Sequence, residues 1–128
     1  MKAALNFGIM ILTIRCGTMY KQGDILLVPI PFTDLSSKKK RPVLVLSNDD
    51  YNSKTEDIIV AAITSNITTK NYIVMLQSQD LDEGTLKVDS CIRVDKIYTL
   101  SQAIIISKFG RVGKYIMDDV KKRLDELI

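Results

Sequence analysis

Apolar and polar positions along this chain fall into short runs separated by turn-forming residues, the pattern of a small, mainly β protein. The runs predict strands at Asp24 to Pro31, Pro42 to Ser47, Asp57 to Ser65, Asn71 to Leu76 and Ser90 to Ile97, with a sixth at Ile104 to Arg111. Pro29 and Pro31 put the end of the first strand at a sheet edge, because proline has no N–H to give to a ladder. The second and third runs, Val43 to Leu46 and Ile58 to Ile63, are apolar at every position. Both their faces need cover, from a helix or from a second copy of the chain, so a homodimer is expected. The fifth run alternates instead: Ile92 and Val94 face one way, and Asp89, Cys91, Arg93 and Asp95 face the other. From Lys114 to Ile128 the period becomes helical, with Ile116, Val120, Leu124, Leu127 and Ile128 in one apolar stripe and Gly113 as N-cap.

Composition narrows the chemistry. At 128 residues, 46% apolar and 26% charged, the chain fits one compact α+β domain, mainly β, with a real core. It has no histidine, which excludes serine–histidine triads and paired-histidine ribonuclease mechanisms and removes the commonest zinc ligand. Neither a metal nor a cofactor is expected. Cys16 and Cys91 carry no metal-ligand spacing and read as reduced thiols of a cytoplasmic protein. The apolar stretch Ala3 to Ile14 is short for a membrane span and runs straight into Arg15. Residues 1–18 are therefore expected to be an extension or a misassigned start, with the domain occupying 19–128 and no membrane association. The net charge of +3 is mild, so any nucleic-acid affinity has to come from a local patch.

One such patch is visible. Lys38, Lys39 and Lys40 lead into Arg41-Pro42 at the mouth of the second strand. Proline restricts the residue before it to extended backbone, so Arg41 is held at the strand entrance. A held guanidinium suits a phosphate, although most charge runs are simply solvated. Thr64 closes the third strand and offers a hydroxyl to a phosphate oxygen, or merely bonds its own backbone; Ser65 lies on the opposite face. Arg93 and Asp95 are two apart in a strand and share a face, as a structural ion pair or as part of a site. Guanidinium is a poor general acid, so both arginines are expected to stabilise charge while Asp95 orients or accepts a proton. The lysines would add sequence-independent attraction, and Ser47, Asn48, Tyr51 and Asn52 could bond or stack with an unpaired base or simply make a turn.

These segments resemble the MazF/PemK family of toxin endoribonucleases from bacterial toxin–antitoxin pairs. The carriers are Gly23-Asp24-Ile25-Leu26-Leu27-Val28, Arg41-Pro42-Val43-Leu44-Val45-Leu46-Ser47-Asn48, Ala61-Ala62-Ile63-Thr64-Ser65 and Asp89 to Leu100, four matches in order with near-family spacing. The resemblance implies a small SH3-like β-barrel with a C-terminal α-helix and a symmetric homodimer. It further implies metal-independent cleavage of single-stranded RNA through a 2′,3′-cyclic phosphate, and a cognate antitoxin whose flexible segment covers the RNA groove. Its active-site positions fall on Arg41 and Thr64, and in the PemK-like branch on Arg93 and Asp95, with Lys38, Lys39, Lys40, Ser47, Asn48 and Ser65 as RNA contacts. Two departures stand out. The first loop, Thr33 to Lys40, lacks the Gly-x-Glu-Gln-Gly-Gly pattern, and Tyr98 replaces a frequent arginine. Two other readings are a non-catalytic RNA- or DNA-binding barrel and a gyrase-poison-like inhibitor on the same fold. The second is disfavoured by the absence of tryptophan and the Asp125-Glu126-Leu127-Ile128 ending.

Overall fold

The computed structural model describes residues 20–29, 40–67 and 72–128. Within them the order is β1 (Asp24–Val28), β2 (Arg41–Val45), α1 (Asp49–Lys54), β3 (Asp57–Thr64), β4 (Ile73–Leu76), β5 (Leu81–Glu83), β6 (Ser90–Ser101), β7 (Ser107–Val112) and α2 (Lys114–Leu127). The strands pair antiparallel in one sheet, in the order β4-β6-β3-β2-β1-β7-β5. Its edge strands β4 and β5 are joined by residues 77–80 alone, so the sheet has to curl until its edges approach. The product is the mainly β, SH3-like small barrel with a C-terminal helix. No helix among the described residues is long and apolar enough to cross a membrane.

Several local expectations are corrected. β1 is not at an edge: it lies between β2 and β7, and its ladder stops at Val28, one residue before Pro29. Proline thus ends pairing without needing an open side. Pro31 and Lys38–Lys39 lie outside the described residues. β6 runs on to Ser101, and β7 begins at Ser107, because Gln102–Ile104 form a 3-10 turn. That turn is tied down by Gln102, whose Nε2 donates to the carbonyls of Asn52 (2.9 Å), Thr55 (3.1 Å) and Asp57 (3.2 Å). Cys91, like Ser90, is buried where β6 begins between β4 and β3, while Asp95 further along the strand is exposed. In α2, Ile116, Met117 and Val120 are buried against the sheet, whereas Leu127 and Ile128 are exposed at the last turn.

Apolar side chains fill both faces of the sheet. One cluster, including Ile25, Leu44, Ile63, Leu76, Ile92 and Val94, is closed by α2. The other holds Leu26, Val28, Val43, Val45, Ile58 and Val60, with Tyr20, Tyr98, Leu100 and Ile105 packed against it. The double-sided apolar runs of β2 and β3 thus separate into two clusters by their period-two alternation.

The Asn-rich segment after β2 is a short helix rather than a turn. Asn48 caps it, accepting from the Tyr51 N–H at 2.8 Å. Asn52, 2% exposed, anchors it. Its side-chain amide donates to the carbonyls of Tyr20 (3.1 Å) and Ser47 (3.0 Å), and its Oδ1 accepts from the Ser47 hydroxyl, which itself accepts from the Ile59 N–H at 3.0 Å. Because buried polar groups left unpaired are expensive, Asn52→Ala should cost about 1–3 kcal/mol of stability. Lys54→Ala, which removes only an exposed ion pair with Asp50, should stay within about 0.5 kcal/mol. Equilibrium urea unfolding compares them; equal losses would show that the Asn52 network contributes nothing beyond helix surface.

Candidate active site

Antiparallel register brings separate parts of the sequence to one end of the sheet. Val43 of β2 lies opposite Ala62 of β3, which lies opposite Arg93 of β6. Two residues further along, the same register sets Arg41 across from Thr64, and Thr64 is paired with Cys91. Arg41 begins β2 and Thr64 ends β3, so adjacent antiparallel strands deliver both to the same rim.

A cleft of about 780 Å³ opens there. Arg41, Thr64, Ser65, Arg93 and Lys40 all line it, together with Asn66, Lys87, Lys96 and Phe109, among others. The lining includes five cations, Lys40, Arg41, Lys87, Arg93 and Lys96, and no carboxylate among the described residues. Such a lining attracts phosphates. The Thr64 hydroxyl oxygen accepts from the Asn66 N–H at 3.1 Å, an arrangement in which its proton can still be donated to a ligand oxygen.

Asp95 does not line the cleft but controls a group that does. Between Ala61 and Ala62 the β3–β6 register jumps: Ala61 faces Ile97 while Ala62 faces Arg93, leaving Val94 to Lys96 without β3 partners. Within this bulge Asp95 receives two hydrogen bonds from Arg93, Nε to Oδ1 and Nη2 to Oδ2, both 2.9 Å. The hydrogen bond to Asp95 holds the Arg93 guanidinium above its usual pKa, so Arg93 acts as a permanent cation in a fixed orientation. The two residues thus form the ion pair, and one of them, Arg93, also lines the cleft.

Ser47 and Asn48 are elsewhere. Neither lines the cleft; Ser47 is buried in the Asn52 network and Asn48 caps α1. Lys38 and Lys39 lie outside the described residues, whereas Lys40 reaches the cleft. Tyr98 packs against the second apolar cluster. Sequence reading passed over Lys87, Asn66 and Lys96 as site residues. Lys96 carried a signal, standing next to Asp95 in a polar stretch, but Lys87 sits in a loop whose course only the β5–β6 connection defines.

Comparison with known proteins follows the same line. Residues 21–128 match the family described as PemK-like, MazF-like toxin of type II toxin–antitoxin system. The chain is 32% identical over 93 residues to Endoribonuclease MazF2 of Mycobacterium bovis, covering 70% of this chain and 79% of that protein. Endoribonuclease MazF6 of Mycobacterium tuberculosis matches to the same extent. Among solved structures, an endoribonuclease from Mycobacterial species superposes with a TM-score of 0.69 at 18% identity, covering 85% of this chain and 90% of that one. A MazE–MazF complex from Deinococcus radiodurans superposes with a TM-score of 0.69 at 21% identity, covering 85% and 95%. At these identities the superpositions speak for the fold.

The cation-lined cleft generates a prediction about salt. Binding of a single-stranded DNA oligonucleotide should weaken linearly with log salt, and Lys87→Gln and Lys96→Gln should each reduce the slope by about 0.7, one phosphate contact's share. Lys122→Gln, on the exposed face of α2, should leave the slope unchanged. Fluorescence anisotropy from low to moderate salt measures this; equal slopes for all three variants would take the cleft out of polyanion binding.

Proposed function

The chain belongs to the PemK-like, MazF-like toxin family of type II toxin–antitoxin systems, and on that premise we propose that it is a metal-independent endoribonuclease acting on single-stranded RNA in the cytoplasm as a homodimer. The observation that carries the reading is the joint lining of one cationic cleft by Arg41, Thr64 and Arg93. Cleavage proceeds by attack of a ribose 2′-hydroxyl on the adjacent phosphorus. The 2′-oxygen–phosphorus bond forms, the phosphorus–5′-oxygen bond breaks, and the products are a 2′,3′-cyclic phosphate and a 5′-hydroxyl. Arg41 and Arg93 stabilise the charge that builds on the non-bridging oxygens, and Thr64 donates a hydrogen bond to one of them. Asp95, with both oxygens engaged by Arg93, positions that guanidinium; the 2′-proton leaves to water, and water protonates the departing 5′-oxygen.

A cognate antitoxin completes the proposal. An endoribonuclease from Mycobacterial species has been solved in complex with its cognate antitoxin, and the chain resembles it in fold with a TM-score of 0.66 at 17% identity. A cleft lined by five cations and no carboxylate among the described residues favours an acidic peptide as the competitor of RNA. The homodimer has support in the exposed apolar side chains Ile104 and Ile106 on the β6–β7 connection.

Purified protein incubated with single-stranded RNA in excess EDTA should yield discrete fragments ending in cyclic phosphate. Intact RNA with a retarded band would replace the enzyme by a binder. Arg41→Ala should lower kcat by about 10²–10³-fold, the usual cost of one transition-state donor. Asp95→Asn should lower kcat by roughly 10- to 100-fold through misplacement of Arg93 without weakening RNA binding. Unchanged turnover in Asp95→Asn would remove the positioning role.

A further inference from the structure

Among the described residues, Phe109 is the aromatic side chain that lines the cleft, and it is 39% exposed although it is one of the largest apolar side chains in the chain. Its position has a structural cause. β7 pairs with β1 as Gly110 opposite Ile25 and Lys108 opposite Leu26, so Phe109 is the extra residue of a β-bulge with no partner of its own on β1. Bulges re-aim side chains and recur beside functional sites. This bulge is held from several directions. Lys108 contacts Asp24 (3.6 Å) and Glu83 (3.0 Å), and Arg111 contacts the same two carboxylates at 3.0 and 3.3 Å. The Lys108 hydrogen bond holds the Glu83 carboxyl below its ordinary pKa, so this clamp keeps its charge further into acid than a free glutamate would. The backbone is pinned as well: a Cβ on Gly84 would come within 2.7 Å of the Phe109 carbonyl oxygen, and one on Gly110 within 2.4 Å of the Glu83 carbonyl oxygen. Only two glycines allow β5 and β7 to approach this closely, and Gly84 has a φ of +88°.

The residues flanking Phe109 are thus anchored to acids away from the cleft, while Phe109 itself borders the cleft on a rigid support. Two strands away, across β1, stands Arg41. At 4.7–4.9 Å per strand step the strands β2 and β7 run roughly 10 Å apart, with Arg41 opposite Val28 and Phe109 opposite the Ile25–Leu26 step. An exposed aromatic ring beside a row of cations, with no carboxylate among the described lining residues, matches the requirements of single-stranded nucleic acid: charge for the backbone and an apolar plane for a base.

We propose that Phe109 is a base platform, on which one unpaired base near the scissile phosphate stacks while Arg41 and Arg93 hold the phosphate. The proposal rests on the endoribonuclease reading and extends it to a binding residue. Stacking tolerates different bases, so Phe109 sets how an RNA strand is seated, and loops supply the base preference.

The test compares wild type with Phe109→Ala, Phe109→Leu and Phe109→Trp, each checked by thermal unfolding. Two measurements are made: kcat and KM on a short single-stranded RNA, and anisotropy binding of the same strand with 2′-deoxy sugars, which cannot react. Phe109→Ala should raise KM and Kd ~10-fold, the loss expected for one base–aromatic stack, with kcat within about twofold. Phe109→Trp should restore binding and Phe109→Leu should not. An abasic sugar walked along the strand should penalise wild type at one position and leave Phe109→Ala indifferent there. Unchanged KM in Phe109→Ala, or equal rescue by Leu and Trp, overturns the platform and leaves the endoribonuclease standing. Wild type that binds the inert strand through Phe109 yet never cuts RNA removes the endoribonuclease and keeps the platform. Failure to bind at all removes both.

Discussion

The pairing of β3 with β2 on one side and β6 on the other is the constraint from which the rest follows. Because these ladders are antiparallel, the start of β2, the end of β3 and the start of β6 share one rim. Residues as far apart in the chain as Arg41, Thr64 and Arg93 then come to line one cleft. A slip of one residue in either ladder would turn Arg41 or Arg93 to the other face and exchange the two apolar clusters with it. The hydrophobic demand that specifies the register therefore also assembles the cleft.

Departures from regular pairing do the remaining placement. The jump between Ala61 and Ala62 lets β6 bend from β4 towards the far end of β3, and in that bend Arg93 and Asp95 close a two-point contact. The bulge at Phe109 performs a similar task on the opposite wall. These two irregularities border the cleft, a third at Leu81–Glu83 lies outside its lining, and the pairing of β1 with β2 is unbroken. Regular strands supply rigidity, and the bulges aim side chains.

Charge is arranged in two tiers. Asp24 and Glu83 gather Lys108 and Arg111 on the β1–β7–β5 side, where the pairs staple short β5 to the sheet. The cleft draws on a different set of cations, of which Arg93 is paired with Asp95. Since exposed pairs contribute little stability, the value of the Arg93–Asp95 contact lies in direction more than in energy. On the proposed endoribonuclease reading that direction has a purpose, because a phosphate in reaction needs cations already in place.

Read from the chain alone, the strand runs of β2, β3 and β4, the C-terminal helix with its Gly113 cap, and the strand-end places of Arg41 and Thr64 were all legible. Alternation and helical period are local properties, and proline restricts its neighbour wherever it stands. What remained hidden depended on partners distant in sequence. β1 became an interior strand through β7, the Asn48 to Lys54 segment became a helix through the buried contacts of Asn52 with Tyr20 and Ser47, and Ser47 was drawn away from the cleft by the same network. Lys87 and Phe109 became cleft residues only once β5 folded onto β7 through glycines at 84 and 110. The sequence by itself determined most of the strand runs, the C-terminal helix and where cations and hydroxyls stand along the chain, because side-chain chemistry and period are local. Tertiary structure alone decided which of those groups share a cleft, since register and bulge are set by pairing between strands and by the burial that pairing allows.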